Sequence, residues 1–243
     1  MSVIRQAFSV ILPHSCGICS AKAAADDKVT VRLPEGFHIC SRCLSRLVPY
    51  DREKRFLTCL SEPYKGDPYP GLVLYMPFEY DETFARAIRG IKFSGRKETA
   101  LFLGFLLGRT ASTDKLTADA IVPVPLSPKR LSERGFNQAE MLCRGASEVL
   151  KIPVLPDVLI RTRETKRQAD LTDDRERSGN VHGVFTVSSS WDVSGMDIIL
   201  ADDVATTGNT LHEAACALLK EGAASVLCMA LCGNRNARNA EPF

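Results

Sequence analysis

Two adjacent carboxylates followed by a polar loop form the part of this chain best suited to chemistry. Asp202 and Asp203 follow the apolar run 198–201 and precede an amphipathic segment that begins near residue 208. Backbone N–H groups at a helix N-terminus bind phosphate, glycine allows close approach of the backbone, and threonine hydroxyls add donors. Carboxylates accept hydrogen bonds from vicinal ribose hydroxyls or hold a hydrated Mg²⁺. The pattern predicts a sugar-phosphate site with a candidate catalytic pair, Asp202 and Asp203, and candidate binding residues Val204, Ala205, Thr206, Thr207, Gly208, Asn209 and Thr210.

The alternative interpretation of this stretch is an ordinary helix cap. Thr207 or Thr210 would then cap the helix, and both aspartates would be solvated. Either carboxylate alone would mean little, but a buried strand before the loop and a helix after it favour phosphate binding.

A cluster of positive charges follows an earlier apolar run. Lys129, Arg130 and Arg134 lie within six positions, shortly after the predicted strand 120–124. If the strands are parallel, these cations share a sheet edge with the aspartates. Arginine side chains there suit the oxygens of a phosphate. The alternative is a solvated basic turn.

Two C-x-x-C pairs near the N-terminus have the spacing of a metal site. Cys16 and Cys19 are separated from Cys40 and Cys43 by 20 residues. Four thiolates at this spacing predict tetrahedral zinc, and a closed shell of four thiolates makes the site structural. The rival interpretation, a thioredoxin-like redox pair, needs a neighbouring βαβ pattern, which is missing. His14 and His38 each stand two residues before a cysteine and could substitute as ligands.

The overall composition restricts the class of protein. The chain has 243 residues, a 45% hydrophobic fraction and a formal net charge of +2, which argues against non-specific binding to nucleic acid or membrane surfaces. Nine cysteines, an odd number, favour an intracellular metal site over a disulfide framework. The longest apolar run is far short of the about 20 residues that span a bilayer. We therefore expect a soluble, cytoplasmic protein without membrane insertion, in which Cys143, Cys216, Cys228 and Cys232 pack as small apolar residues.

The elements that position these residues alternate between strands and helices. Strands are predicted near 72–78, 120–124, 158–160, 184–187, 197–201 and 225–231, and helices near 84–91, 98–108, 137–150 and 208–222. This alternation predicts an α/β fold with a parallel sheet covered by helices on both sides. A stretch rich in Pro, Gly and Asp, 61–71, predicts a boundary between a small zinc-ribbon domain, 1–62, and a larger domain, 63–243.

Three blocks of the sequence resemble one known family. Residues 198–210 resemble the phosphoribosyl pyrophosphate motif of type I phosphoribosyltransferases. Residues 121–138 resemble the ComF family within that superfamily, and so does a third block. The third block consists of Arg161, Arg163, Thr165, Gln168, Arg175, Asn180 and Phe185. The resemblance extends to the N-terminal zinc ribbon and covers nearly the whole chain.

The resemblance implies a type I phosphoribosyltransferase-like fold that binds phosphoribosyl pyrophosphate with Mg²⁺. It places the pyrophosphate on the loop 123–134 and a closing loop in 161–180, with Arg163, Lys166 and Gln168 as candidates to reach the pyrophosphate. Lys92 also matches the family pattern. The implied reaction is displacement of pyrophosphate from C1 of the ribose by a nitrogen nucleophile, so that positioning and charge stabilisation do most of the work.

The resemblance also implies a link to DNA uptake in competent bacteria, with single-stranded DNA or a DNA-uptake helicase as a partner. The alternative is a non-catalytic protein that senses a ribose phosphate or handles single-stranded DNA. Members of the family often carry two zinc ribbons, but here Cys59 remains while Glu62 stands where a second cysteine is expected, so we predict one zinc. Neither the acceptor nor the oligomeric state follows from the sequence.

Overall fold

Strands and helices alternate along the chain in the computed structural model, which describes residues 15–22, 37–58, 69, 72–162 and 183–233. The strands are β1 (Phe56–Thr58), β2 (Val73–Tyr75), β3 (Phe78–Glu79), β4 (Ala120–Pro123), β5 (Leu159–Arg161), β6 (Phe185–Val187), β7 (Asp197–Ala205) and β8 (Ser225–Gly233). The helices are α1 (Ser41–Leu44), α2 (Glu82–Ser94), α3 (Lys97–Thr113), α4 (Pro128–Arg134), α5 (Gln138–Leu150) and α6 (Asn209–Lys220).

One mostly parallel sheet organises the molecule. Its strand order is β1-β2-β8-β7-β4, and β3 also pairs with β8. All pairs are parallel except β1 with β2. Strands β5 and β6 form a separate antiparallel pair. The predicted α/β class is confirmed, although the antiparallel edge strand β1 makes the sheet mixed.

Helices cover both faces of the sheet because its central strands are apolar on both sides. Neighbouring residues of a strand point to opposite faces. In β7, Ile199 packs in one core cluster with side chains of α2, α3 and α5, whereas Ile198 and Leu200 pack in a second cluster with side chains of α6 and the β5–β6 pair. All three are essentially inaccessible to solvent. Burial of each such side chain stabilises the fold by about 2 kcal/mol, so β7 is held from both sides.

Helices α3 and α5 lie against each other at backbone distance. A Cβ on Gly104 would lie 2.1 Å from the carbonyl oxygen of Leu142, and one on Gly145 would lie 2.1 Å from that of Leu101. Only glycine fits at such a contact. The two helices therefore form one closely packed layer, and α5 lies directly against β4 and β7.

Local signals in the sequence set the helix ends. The side chain of Asp81 accepts a hydrogen bond from the Phe84 N–H at the start of α2, and Asn137 accepts one from the Ala139 N–H at the start of α5. Such caps satisfy donors that the first turn leaves free. Helix α3 is longer than predicted and ends at Thr113, because Thr110 and Ala111 remain buried beyond Gly108.

Residues before the predicted domain boundary join the main sheet. Strand β1 pairs with β2, and Arg55 donates to both carboxylate oxygens of the buried Asp114 at 3.1 and 2.9 Å. The hydroxyl of Tyr75 donates to the same carboxylate at 2.8 Å. The boundary at 62/63 itself lies outside the described residues and stays a prediction. Among the described helices, none has the length and apolar character required to cross a membrane.

Candidate functional site

The two aspartates lie within strand β7. The prediction placed them just beyond a strand that ends at residue 201, but the ladder with β8 continues through Asp202–Ala230 and Val204–Cys232 to Ala205. The strand is longer than its apolar run because β8 offers backbone partners as far as Gly233, and ladder hydrogen bonds do not depend on the side chains. The carboxylates are therefore held by the sheet at its carboxyl edge.

The environments of the two carboxylates differ. Asp203 is only 5% exposed, whereas Asp202 is partly exposed. The backbone N–H of Asp203 donates to Asp202 Oδ1 at 2.7 Å. Burial and the adjacent negative charge of Asp203 raise the pKa of Asp202 to about 7, against the opposing effects of Lys92 and this hydrogen bond. Asp202 thus changes charge near neutral pH.

The polar loop leads directly into a twelve-residue helix. Gly208 precedes α6 with a φ of 75°, a left-handed conformation that favours glycine. The His212 N–H donates to the Gly208 carbonyl oxygen at 2.9 Å, so the N–H groups of the residues between them have no partner within the helix itself. The side chains of Thr207 and Thr210 are partly exposed there. Of the other predicted binding residues, Thr206 is exposed, Asn209 and Val204 are partly buried, and Ala205 is buried.

The predicted pyrophosphate loop, residues 123–134, is largely a helix. After β4 ends at Pro123, only four residues precede α4, and Ser127 caps this helix by accepting from the Arg130 N–H at 3.4 Å. A capping serine followed by Pro128 at the first helical position favours a helix over an open loop. The prediction of a loop through Arg134 was therefore wrong in its conformation.

The basic residues of this segment follow β4, the strand that pairs with the aspartates' strand. Pro123 of β4 is in register with Ala201 of β7, so the carboxyl ends of both strands meet at one edge. Lys129 is exposed and Arg130 is partly exposed on α4. Arg134 donates from Nη1 to Gln138 Oε1 at 2.9 Å, which ties the end of α4 to the start of α5. The shared edge is consistent with the predicted grouping of cations and carboxylates.

A lysine from a different helix reaches the buried carboxylate. Lys92 Nζ lies 2.7 Å from Asp203 Oδ2. The sequence resemblance singled out Lys92 but assigned it no role, and this pairing was not predicted. A signal did exist: Lys92 continues the buried stripe of Phe84 and Ile88 at intervals of four, and a charged residue on a buried helix face requires a partner.

The residues at this edge fit a Mg²⁺ ion bound together with a phosphate ligand. Asp203 Oδ2 is buried and receives no hydrogen bond from the described residues, so the short Lys92 contact is a charge contact outside hydrogen-bond geometry. Carboxylate oxygens are the ligands that Mg²⁺ uses, often through its water molecules. Asp202 is the more accessible of the two carboxylates.

The predicted closing loop lies mostly outside the described residues, and so do its candidates Arg163, Lys166 and Gln168. The ends of this segment are described. Arg161 of β5 is in register with Phe185 of β6, and its guanidinium lies 5.3 Å from the centre of the Phe185 ring. Both residues belong to the third block of the resemblance, and they face each other in the antiparallel pair β5–β6.

The four cysteines of the two C-x-x-C pairs converge. The Sγ atoms of Cys16, Cys19, Cys40 and Cys43 all lie within 4.8 Å of one another, and those of Cys19 and Cys40 are 3.8 Å apart. With Zn–S bonds of about 2.3 Å, tetrahedral thiolates stand roughly 3.8 Å from each other. The cluster is compatible with structural zinc. The predicted alternative ligand His38 is not part of the cluster, while His14 and the residues relevant to a second ribbon, Cys59 and Glu62, lie outside the described residues.

Cys16 is the cysteine of the cluster whose thiolate the backbone stabilises, whereas burial raises the pKa of Cys19 and Cys43. Burial raises the pKa of Cys16, but backbone N–H groups of Cys19, Cys40 and Ile18 outweigh it and bring the pKa to about 7. The Cys40 N–H donates to Cys16 Sγ at 3.5 Å. These N–H groups stabilise negative charge on sulfur as they do in metal knuckles.

The remaining described cysteines are buried in the core, as predicted. Cys143, Cys216, Cys228 and Cys232 are at most 6% exposed, and burial raises the pKa of Cys143 and Cys228 well above the usual range. His212 is also buried, with Cys216 Sγ 3.7 Å from its Nδ1.

Comparison with known proteins gives matches over most of the chain. The phosphoribosyl transferase domain family matches residues 139–242. DNA utilization protein YhgH of Escherichia coli strain K12 is 31% identical over 226 residues, 89% of this chain and 89% of that protein. Competence protein F of Haemophilus influenzae is 31% identical over 194 residues, 77% of this chain and 81% of that protein. A solved hypoxanthine phosphoribosyl transferase of Trypanosoma cruzi is 17% identical with a TM-score of 0.38, covering 60% of this chain and 70% of that one.

Proposed function

This chain belongs to the ComF family of phosphoribosyltransferase-fold proteins, and from that premise we propose that it binds phosphoribosyl pyrophosphate with Mg²⁺ at residues 202–210. The observation that carries the proposal is the placement of Asp202 and Asp203 at the carboxyl edge of β7, immediately before a glycine-capped helix. Ligands of parallel sheets bind at this edge. Residues 202–210 therefore offer carboxylates for the ribose hydroxyls and backbone N–H groups for the phosphate.

The loop between β7 and α6 suits the 5′-phosphate of the ligand. The first N–H groups of α6 carry the positive end of the helix dipole, and Gly208 allows the phosphate to approach the backbone without a Cβ between them. Thr207 and Thr210 are partly exposed at this turn and can donate from their hydroxyls.

The carboxylates suit the ribose ring and the Mg²⁺ that accompanies pyrophosphate. Asp202, the more accessible of the two, can accept hydrogen bonds from vicinal hydroxyls. Bound Mg²⁺ would neutralise part of the pyrophosphate charge. On the neighbouring strand end, Lys129 and Arg130 of α4 are candidates to contact the pyrophosphate oxygens, and Arg134 fixes the end of that helix. Arg163, Lys166 and Gln168 stay predictions for the closing loop.

The reaction that such a site supports is transfer of phosphoribose to a nitrogen acceptor. The bond from C1 to the pyrophosphate oxygen breaks, a new C1–N bond forms, and the acceptor nitrogen loses a proton. The sugar passes through a state with oxocarbenium character, so cations near the leaving group and carboxylates near the ring both lower the barrier. The chain need not supply a strong general base for this step.

The names of the relatives favour a second function. Curated relatives are called DNA utilization protein and competence protein. We infer a role in the handling of incoming DNA, with single-stranded DNA or an uptake helicase as partner and the cysteine-rich segment as the docking module. Under this second hypothesis the protein senses a ribose phosphate without transferring it. Both hypotheses keep the cytoplasmic location predicted from cysteine usage.

The decisive experiment is isothermal titration of the protein with phosphoribosyl pyrophosphate and Mg²⁺. We expect binding by the wild type and a loss of at least about tenfold in Asp202→Asn and Asp203→Asn, since each removes one of the two negative charges at the site. Asp197→Asn is the matched control, because Asp197 begins the same strand at its opposite end. Absence of binding by the wild type would refute the proposal.

A second assay separates catalyst from sensor. Release of pyrophosphate is followed with nucleobases, amines and single-stranded oligonucleotides as acceptors. Release that depends on one acceptor supports transfer, whereas tight binding without release across all three classes supports the sensor.

We also propose that Cys16, Cys19, Cys40 and Cys43 bind one structural zinc ion. The convergence of four sulfur atoms at zinc-like separations supports this assignment. Because four thiolates fill the coordination sphere, the ion has no open position for chemistry.

A further inference from the structure

Asp202 and Asp203 are adjacent in sequence but are presented to their surroundings in different ways. Neighbouring side chains of a strand project to opposite sides. The carboxylate of Asp203 is 7% exposed and contacts Lys92, while Asp202 is partly exposed. Two carboxylates placed so differently are not suited to the same task.

Lys92 is delivered to Asp203 by a well-anchored helix. Phe84, Ile88 and Ile91 bury one face of α2 in the core, and Asp81 caps its N-terminus. Gly95 ends the helix with a φ of 63°, directly after the turn that carries Lys92. The helix therefore fixes the backbone position of Lys92, and its side chain is only 23% exposed.

Asp203 needs this cation. A buried carboxylate without a counter-ion is strongly disfavoured, and removal of one partner of a buried pair leaves an uncompensated charge. Lys92 is the cation that the described residues place against it, at 2.7 Å, and no hydrogen bond reaches Asp203 Oδ2 in addition. The charge of Asp203 is thus balanced by Lys92, which lies directly against Oδ2.

We propose that Lys92 is a positioning residue that holds Asp203 as an internal ion pair and leaves Asp202 as the carboxylate offered to the ligand. This deepens the function proposed above and rests on it for the identity of the ligand. The ammonium occupies the acceptor position on Asp203 that a divalent cation would otherwise take. The carboxylate pair therefore has low affinity for a free divalent cation, and the metal enters together with the pyrophosphate that chelates it.

The test is Mn²⁺ binding in the absence of any ligand, measured by electron paramagnetic resonance. Lys92→Gln should bind Mn²⁺ about tenfold more tightly than the wild type, because a unit positive charge next to the carboxylates has been removed. Lys92→Arg keeps the charge and should resemble the wild type. Lys92→Gln/Asp203→Asn should lose the gain, since the gain arises at Asp203.

Arg89→Gln is the matched control, because Arg89 lies one turn earlier on the same helix, is exposed and carries the same charge. It should not change Mn²⁺ affinity. Unchanged Mn²⁺ affinity in a folded Lys92→Gln, or a gain that persists in the double variant, would overturn the proposal. If Lys92→Gln does not fold, the comparison of Lys92→Arg with Asp203→Asn decides: Lys92→Arg should match wild-type affinity and Asp203→Asn should not exceed it.

A second arm adds phosphoribosyl pyrophosphate with Mg²⁺. Lys92→Gln should bind the ligand more weakly than the wild type, and the effect should vanish in the Asp203→Asn background. Absence of ligand binding by the wild type would refute the proposed function and leave the Mn²⁺ result to decide the role of Lys92.

Discussion

Arg96 donates hydrogen bonds from its guanidinium to the carbonyl oxygen of Gly17, at 3.1 Å, and to that of Ile18, at 3.4 Å. Gly17 and Ile18 are the two residues between the first pair of cysteines. Arg96 stands where α2 gives way to α3, four residues after Lys92. A single helix junction thus connects the thiol cluster to the carboxylates of the site.

Arg96→Ala should loosen the cysteine-rich segment from α3. Hydrogen bonds from a charged donor contribute more than neutral ones, so we expect a loss of about 2 kcal/mol in the free energy of unfolding. Thermal unfolding with limited proteolysis measures this, with earlier cleavage on the N-terminal side of β1. Arg109→Ala, an exposed arginine on α3, is the control and should change neither. Equal stability of the two variants would contradict the anchoring role.

Asp114→Asn should destabilise the protein more than any exposed ion pair could. Its carboxylate is buried and accepts from Arg55 and Tyr75. Removing the charge leaves Arg55 without its counter-ion, which costs roughly 3 kcal/mol. Asp51→Asn breaks only the exposed pair with Lys54 and should cost well under about 1 kcal/mol. Urea denaturation of both variants provides the measurement, and similar midpoints would count against a buried ion pair.

Affinity for the phosphoribosyl ligand should rise between pH 6 and pH 8. Burial, with the negative charge of Asp203, raises the pKa of Asp202 to about 7, so its carboxyl is mostly protonated below that pH and ionised above it. Ribose hydroxyls and Mg²⁺ both favour the ionised form. Titrations across this range should show the rise in the wild type and a smaller one in Asp202→Asn, where only the ligand phosphates titrate. Parallel pH profiles would disprove the assignment.

The raised pKa of Asp202 also predicts that the stability of the ligand-free protein falls as the pH rises. The pKa of Asp202 in the folded protein lies above its unfolded value of about 3.9. The folded state therefore binds more protons, and the stabilisation this gives is complete below about pH 4 and lost as the pH rises to 7. Without ligand at pH 8, Asp202→Asn should melt at a higher temperature than the wild type. Asp197→Asn, from the opposite end of the strand, should show no such gain.

Metal analysis should find one zinc per chain, and Cys40→Ser should lose it. A structural zinc contributes directly to folding, so a strong chelator should lower the melting temperature of the wild type. Cys143→Ala removes a buried cysteine far from the four-thiol cluster in sequence and should keep the metal. Zinc retained by Cys40→Ser, or two ions per wild-type chain, would show the assignment to be wrong.

Much of the site could be predicted because its signals are local. The apolar run before Asp202, the glycine at 208 and the amphipathic stretch after it follow one another without interruption. The two C-x-x-C pairs are likewise local, and their convergence follows from the geometry that four thiolates require. The helix at 128–134 also had signals that would have revealed it, namely Ser127 as a cap, Pro128 at the first position and Gly135 at the end.

The contacts that join distant segments could not be predicted in this way. Lys92 and Asp203 are more than a hundred residues apart, and Arg96 and Gly17 almost eighty. Periodicity identifies which face of α2 is buried, but it does not identify the strand residue that the face meets. The extension of β7 past residue 201 depends on the length of β8, which follows it in the chain.

The glycine contact between α3 and α5 limits where this protein can be redesigned. A Cβ at Gly104 would lie only 2.1 Å from the Leu142 carbonyl oxygen, so even one added methyl group would push the two helices apart. Because α5 packs against β4 and β7, this shift would also disturb the sheet. Changes of ligand preference will therefore have to be engineered in the loops at the carboxyl edge. Substitutions in those loops can change ligand recognition while the packing of α3 against α5 stays the same.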